Sequence, residues 1–230
     1  MKGRLIGALW IIAALALAYF TFDGQYFFVL VWFALAMAYA EIYVVTDANP
    51  WRMKPYDGKL KNIHMFQSCI LVFAAVEAWF VNLDEIVMII LVCVLSDVGA
   101  FTVGKLIGKH KVTFLRQISP NKTYEGYIGG VIAPLFALLL GPALFGVEPT
   151  LPLLIWVIVG GLAAEIGDLL GSATKRCLGM KDSNEELIKY GVFRILEHPV
   201  KGHGGYLDRV DSLAFGLSAY AIIKLVASLL

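Results

Sequence analysis

The chain has 230 residues, 59% of them hydrophobic and 16% charged, with a mean hydropathy of +0.75. A soluble domain is about 45–50% apolar and about 25% charged, so a large water-soluble core is excluded and bilayer spans are called for. The formal net charge of +1 says nothing until the charges are placed along the chain, and it calls for no nucleic-acid partner.

A spanning helix needs about 20 mostly apolar residues. Seven stretches qualify in chain order: Leu5–Phe22, Tyr26–Val45, Met65–Val81, Ile86–Ile107, Tyr124–Phe145, Leu151–Gly171 and Ser212–Leu230. The first follows Lys2 and Arg4 but lacks a clear small-x-small cleavage site, so it reads as a retained helix rather than a signal peptide. The fifth contains Gly129, Gly130 and Pro134, which predict a kink or a break. Cys69, Cys93 and Cys177 have no metal-like spacing and read as small apolar residues. The expected fold is all-α: a polytopic transmembrane bundle of about seven spanning helices with polar cytoplasmic loops, forming one integral membrane domain over 1–230.

With seven spans the links alternate between two sides. The N-terminus, Thr46–His64, Gly108–Thr123 and Ser172–Asp211, with the adjoining Lys105, hold every Lys and Arg of the 19 except Lys224. The opposite links carry Asp23, Asp84, Glu85 and Glu148 and no base. The positive-inside rule makes the basic side cytoplasmic, and Lys224 could snorkel outward from the last helix.

Glu165, Asp168, Ser172 and Lys175, followed by Arg176, are spaced to share one face at the inner end of the sixth helix. Carboxylates at membrane depth are costly and face a bundle interior or a wet cavity. A simple Asp168–Lys175 ion pair is one reading; a site for metal and phosphate explains the added Ser and Arg better. Further on, His203-Gly204-Gly205 precedes Asp208-Arg209 and Asp211, which lead into the last helix. Paired glycines and a helix start can cradle an anion. The plainer reading is helix capping. Hard oxygens beside Lys and Arg are what Mg²⁺-assisted phosphate chemistry requires. Ser119, Lys122 and Thr123 open the fifth helix, either as a further phosphate cradle or as ordinary helix-start grammar. Asp97 has equal functional and packing readings. Glu41 and Glu77 read as structural, and His64, His110 and His198 as loop residues.

Together these segments resemble the phosphatidate cytidylyltransferase (CDP-diacylglycerol synthase) family, over roughly Leu91–Ser212. The resemblance rests on Ser172, Lys175-Arg176, Lys181-Asp182, His203-Gly204-Gly205, Asp208-Arg209 and Asp211, with Asp97 and Ser119-Pro120-x-Lys122-Thr123-x-Glu125-Gly126 upstream. It implies CMP transfer from CTP to phosphatidic acid at a bacterial inner membrane, with the site facing the cytoplasm. Asp168, Asp208 and Asp211 are the expected Mg²⁺ ligands, with a second metal ion allowed for. Ser172, Lys175, Arg176 and Arg209 are then catalytic. Ser119, Lys122, Thr123, Lys181, Asp182, His203, Gly204 and Gly205 bind substrate. Besides membrane lipids, a homodimer partner is expected from the resemblance alone. The link between Asp182 and His203, residues 183–202, is longer than the family's; its mixed apolar and charged composition suggests a short amphipathic surface helix.

Within enzymes, the rival readings are a CTP-dependent lipid kinase and a cytidylyltransferase acting on another phospholipid. A small ion-coupled transporter could also use Asp97, Glu165 and Asp168, but would gather its polar residues toward the midplane. The charge pattern makes a direct prediction. In a cysteine-free background, Lys189→Cys should resist an impermeant thiol reagent in intact cells and react after permeabilisation; labelling from outside would invert the topology.

Overall fold

Among the described residues, four segments are long and apolar enough to cross a membrane: Leu83–Leu106, Tyr124–Phe145, Leu151–Cys177 and Val210–Leu229. They come from a computed structural model that describes residues 25–48, 63–178 and 206–229. All regular elements among these residues are helical. In chain order they are α1 (Gln25–Ala48), α2 (Ile63–Glu77), α3 (Leu83–Leu106), α4 (Tyr124–Ile132), α5 (Ala137–Phe145), α6 (Leu151–Cys177) and α7 (Leu207–Leu229), with short 3₁₀ turns at Thr113–Leu115 and Ala133–Phe136. The chain is an integral membrane protein whose helices keep large apolar side chains such as Phe101, Leu139, Ile158 and Leu225 exposed on their outer faces, as suits lipid contact.

The expectation of seven spans is supported for four. The expected first span, Leu5–Phe22, lies outside the described residues. The expected second and third correspond to shorter apolar helical stretches, Phe28–Tyr43 within α1 and Ile63–Glu77. The expected Met65–Val81 helix ends early because the chain turns at Ala78 before Asn82 caps the next helix. His64, expected in a loop, sits in the first turn of α2 and is buried.

The chain divides into two compact units, Met1–Trp79 with Thr174–Val210, and Phe80–Ala173 with Asp211–Leu230. In the first, Trp32 of α1 and Trp79, in the turn just after α2, meet edge to face with ring centres 5.9 Å apart. In the second, α3 begins with a reciprocal cap: the Asn82 side chain accepts from the Glu85 amide, and Glu85 accepts from the Asn82 amide. Glu85 also accepts from the buried Tyr220 hydroxyl at 3.1 Å and pairs with Lys224 at 2.8 Å. Lys224, the one base off the basic side, therefore ends on a carboxylate.

The expected break in the fifth apolar stretch occurs at Pro134, where the 3₁₀ turn Ala133–Phe136 separates α4 from α5. The neighbouring glycines act differently from the expected kink. A Cβ on Gly129 would lie 2.6 Å from the Val103 side chain and 2.7 Å from the Gly99 carbonyl oxygen, so missing side chains let α3 and α4 touch along their backbones. Gly167 plays the same part between α6 and α7, where a Cβ would meet the Asp211 carbonyl oxygen at 2.7 Å and the Ser212 Cα at 2.8 Å. Backbone cannot move aside as a side chain can. Gly129→Val is therefore expected to cost about 2 kcal/mol or more, read as loss of monodisperse protein on heating in detergent. Gly146→Asn, in open space with a left-handed φ of 66° that Asn tolerates, should leave stability nearly unchanged.

Candidate active site

Lys122 is the hub of a charged cluster in the second unit. It stands just before α4, at the neck of the loop that joins α3 to α4. The Val112 amide donates to the Lys122 carbonyl at 3.1 Å, the Tyr124 amide donates to the His110 carbonyl at 3.0 Å, and Lys111 and Thr123 form an isolated antiparallel bridge. His110, expected as a plain loop residue, closes the neck: its Nδ1 lies 2.6 Å from Glu125 Oε1, and its backbone N–H also donates to that carboxylate. Thr123 is the N-cap of α4, buried, with its hydroxyl accepting from the Gly126 amide at 3.1 Å. The helix-start reading of that residue therefore holds. Ser119 contributes to the preceding turn, its carbonyl accepting from the Lys122 amide.

From this neck the Lys122 ammonium reaches α6, lying 2.5 Å from Glu165 and 2.7 Å from Asp168, and 4.7 Å from the centre of the Tyr127 ring. Burial opposes its charge, but the carboxylates of Asp168 and Glu165 outweigh that and hold Lys122 above the ordinary lysine range, fully cationic. Glu165 is buried, and the space it fills exists because residue 130 is glycine: a Cβ there would run into the carboxylate. Asp97 of α3 lies within electrostatic range of Lys122, Glu165 and Asp168. Asp211 is buried against α6 at Gly171, one helical turn from Asp168, where a Cβ on Gly171 would overlap its carboxylate. Its Oδ1 accepts from the Ser212 amide at 2.7 Å.

The first unit carries a second pair. Lys175, on the last turn of α6, donates to Asp208, on the first turn of α7. Where one reading of the sequence paired Asp168 with Lys175, the structure shows Lys122 on Asp168 and Lys175 on Asp208. Asp168, Ser172 and Lys175 do follow one another along one face of the unbroken α6, as their spacing predicts. Arg176 is part-buried on the same turn as Lys175. Lys181, Asp182, His203, Gly204, Gly205 and the 183–202 insertion lie outside the described residues, as does the Arg209 side chain. Among the described residues, no group of three or more His, Cys, Asp or Glu side chains is gathered as a metal site. Glu165 and Asp168 meet Lys122, and Asp208 meets Lys175.

The sequence model of the Cytidylyltransferase family matches residues 5–226. The chain belongs to that family. It is 41% identical over 145 residues to the phosphatidate cytidylyltransferase of Staphylococcus haemolyticus (strain JCSC1435), covering 62% of this chain and 49% of that protein. It is 38% identical over 165 residues to the phosphatidate cytidylyltransferase of Staphylococcus saprophyticus, covering 67% of this chain and 57% of the relative. The like-named protein of Staphylococcus aureus (strain COL) is 38% identical over 147 residues, with 62% and 49% covered. The chain thus spans about half the length of these curated relatives. No solved structure matches it.

Two features of this cytidylyltransferase-family site escaped the sequence. Nothing local in Lys122 names a partner 43 residues away, and the His110–Glu125 contact spans 15 residues with no periodic signal. Removing the ammonium by Lys122→Met strands two carboxylates and should lower stability. Adding Glu165→Gln to that variant should recover part of the loss, with a coupling of about 1–3 kcal/mol. Strict additivity in a thermal or denaturant double-mutant cycle would mean that the contact contributes nothing.

Proposed function

We propose that this protein transfers CMP from CTP to phosphatidic acid, giving CDP-diacylglycerol and pyrophosphate. The observation that carries the reading is the family match across residues 5–226. The pairing of acidic and basic side chains near the ends of the membrane helices gives it chemical sense. In the reaction a phosphate oxygen of the lipid attacks the α-phosphorus of CTP, and the bond from that phosphorus to the oxygen shared with the β-phosphorus breaks, so that this oxygen leaves as a terminal oxygen of pyrophosphate. The lipid phosphate is largely ionised near pH 7, so no protein base is required. Both reactants are anionic, and the site's main tasks are to neutralise and align them.

Lys122 rests on Glu165 and Asp168 and Lys175 on Asp208, and substrate phosphate oxygens would compete for these ammonium groups. Lys122, Lys175 and Arg176 are the proposed phosphate holders, with Ser172 completing the cradle beside Lys175. Ser119 and Thr123 support Lys122 by shaping its loop. Arg209 is assigned to the lipid phosphate, and Lys181, Asp182, His203, Gly204 and Gly205 to the nucleotide side.

The donor chemistry suits Mg²⁺. Mg²⁺ is a hard ion that takes oxygen ligands, and aspartate carboxylates supply them. Asp168, Asp208 and Asp211 would hold the ion, which when bound would neutralise charge developing on the α-phosphate and the leaving pyrophosphate. The lipid would enter laterally from the inner leaflet of a bacterial inner membrane, with the site facing the cytoplasm. A homodimer remains part of the proposal on the family resemblance.

The test is turnover by purified protein in vesicles containing phosphatidic acid, supplied with labelled CTP and Mg²⁺. Labelled CDP-diacylglycerol should form, and chelation should abolish it. Asp168→Asn, Asp208→Asn and Asp211→Asn should each lower turnover by about a hundredfold or more, because metal-mediated charge stabilisation contributes several kcal/mol. Near-normal turnover in two of the three would refute the site, and absence of product from the native protein would refute the reaction.

A further inference from the structure

Glu41 lies on α1, far in sequence from every residue assigned above. Its side chain is 1% exposed, an expensive place for a carboxylate unless it is well partnered. Both of its carboxylate oxygens accept from backbone amides at the start of α7. The Tyr206 N–H donates to Oε1 at 2.7 Å and the Leu207 N–H to Oε2 at 2.8 Å, across 165 and 166 residues of chain. Leu207 is the first residue of α7, so both donors belong to the end of the helix where the backbone N–H groups lack partners and the dipole favours an anion. A second contact joins the same two segments: the Phe33 and Tyr206 rings meet edge to face at 6.0 Å.

We propose that Glu41 is a positioning residue for the cytidylyl-transfer site, acting through the first turn of α7. Asp208 follows Leu207 directly, and its carboxylate holds Lys175. Glu41 fixes the backbone from which Asp208 projects and therefore fixes the Lys175–Asp208 pair. The sequence suggested an anion at this helix start and offered a phosphate as one occupant. At Tyr206 and Leu207 the anion is the protein's own carboxylate. The inference rests on the proposed reaction for its kinetic consequence, but its structural part stands apart from it.

The experiment uses the full-length protein in nanodiscs and two variants, Glu41→Ala and the isosteric Glu41→Gln, which keeps one acceptor oxygen. Amide hydrogen exchange across residues 205–210 is measured beside steady-state turnover of CTP and phosphatidic acid. Exchange at Tyr206 and Leu207 should rise about tenfold or more in Glu41→Ala, as expected for loss of hydrogen bonds to a charged group. Exchange in α3 and α6 should stay as in the native protein, showing that the folded fraction is unchanged. The kcat should fall about tenfold to a hundredfold through misplacement of Asp208, with the KM for phosphatidic acid within about twofold. Glu41→Gln should lie between native protein and Glu41→Ala in both measurements. If Glu41→Ala does not fold, Glu41→Gln alone carries both readouts. Unchanged exchange at Tyr206 and Leu207 would overturn the proposal, and so would raised exchange with native kcat. A native protein that exchanges as described yet forms no CDP-diacylglycerol would sink the proposed reaction while leaving the Glu41 contact standing.

Discussion

Lys122 rests between Glu165 and Asp168, and much of the second unit is arranged so that this ammonium can reach them. In a weakly polar interior an isolated charge is far more costly than in water, so each such group needs an opposite charge or a hydrogen-bond donor at contact distance. Meeting that demand draws the α3–α4 loop onto α6 and pins its neck through Val112, Tyr124 and the His110–Glu125 contact. The same rule operates at Glu85, which takes the Lys224 ammonium, the Tyr220 hydroxyl and the Asn82 amide. Carboxylates in this protein are junctions where separate helices are tied.

Such ties are short and need backbones that come close. Glycine supplies the approach. Gly99 and Gly129 bring α3 against α4, Gly130 leaves room for the Glu165 carboxylate, and Gly167 and Gly171 admit Asp211 and Ser212 to the face of α6. Hydrophobic exclusion by water contributes little between helices within lipid, so close van der Waals packing of this kind and polar contacts must supply the association. Packing and chemistry are therefore coupled here: glycines that let helices touch also place the carboxylates.

A resting site in which lysines occupy the carboxylates has a mechanistic consequence under the proposed function. The ammonium groups neutralise the carboxylates they meet, and in the proposed reaction phosphate oxygens would compete for the same groups. Glu41 stands apart from that exchange, since its two carboxylate oxygens accept from the Tyr206 and Leu207 backbone amides.

Composition and apolar run length alone determined that the protein is helical and embedded in a membrane, because the bilayer imposes both a length and a polarity on any segment that crosses it. The break at Pro134 was legible for a similarly local reason, as was the shared face of Asp168, Ser172 and Lys175, since one residue's ring and a 3.6-residue period act within a few positions. The polar motif from Ser172 to Asp211 also pointed to the family that the comparisons show. Partner choice was not legible. Lys122 could have faced solvent or phosphate, Asp168 could have paired with Lys175, and Glu41 gave no sign of its place beneath the start of α7. Those outcomes depend on which helices approach within a few ångströms, and charge–charge and hydrogen-bond energies fall off too steeply with distance for sequence separation to reveal them. Tertiary structure decided that Lys122 meets Glu165 and Asp168, that Lys175 meets Asp208, and that a buried glutamate from α1 holds the first turn of α7.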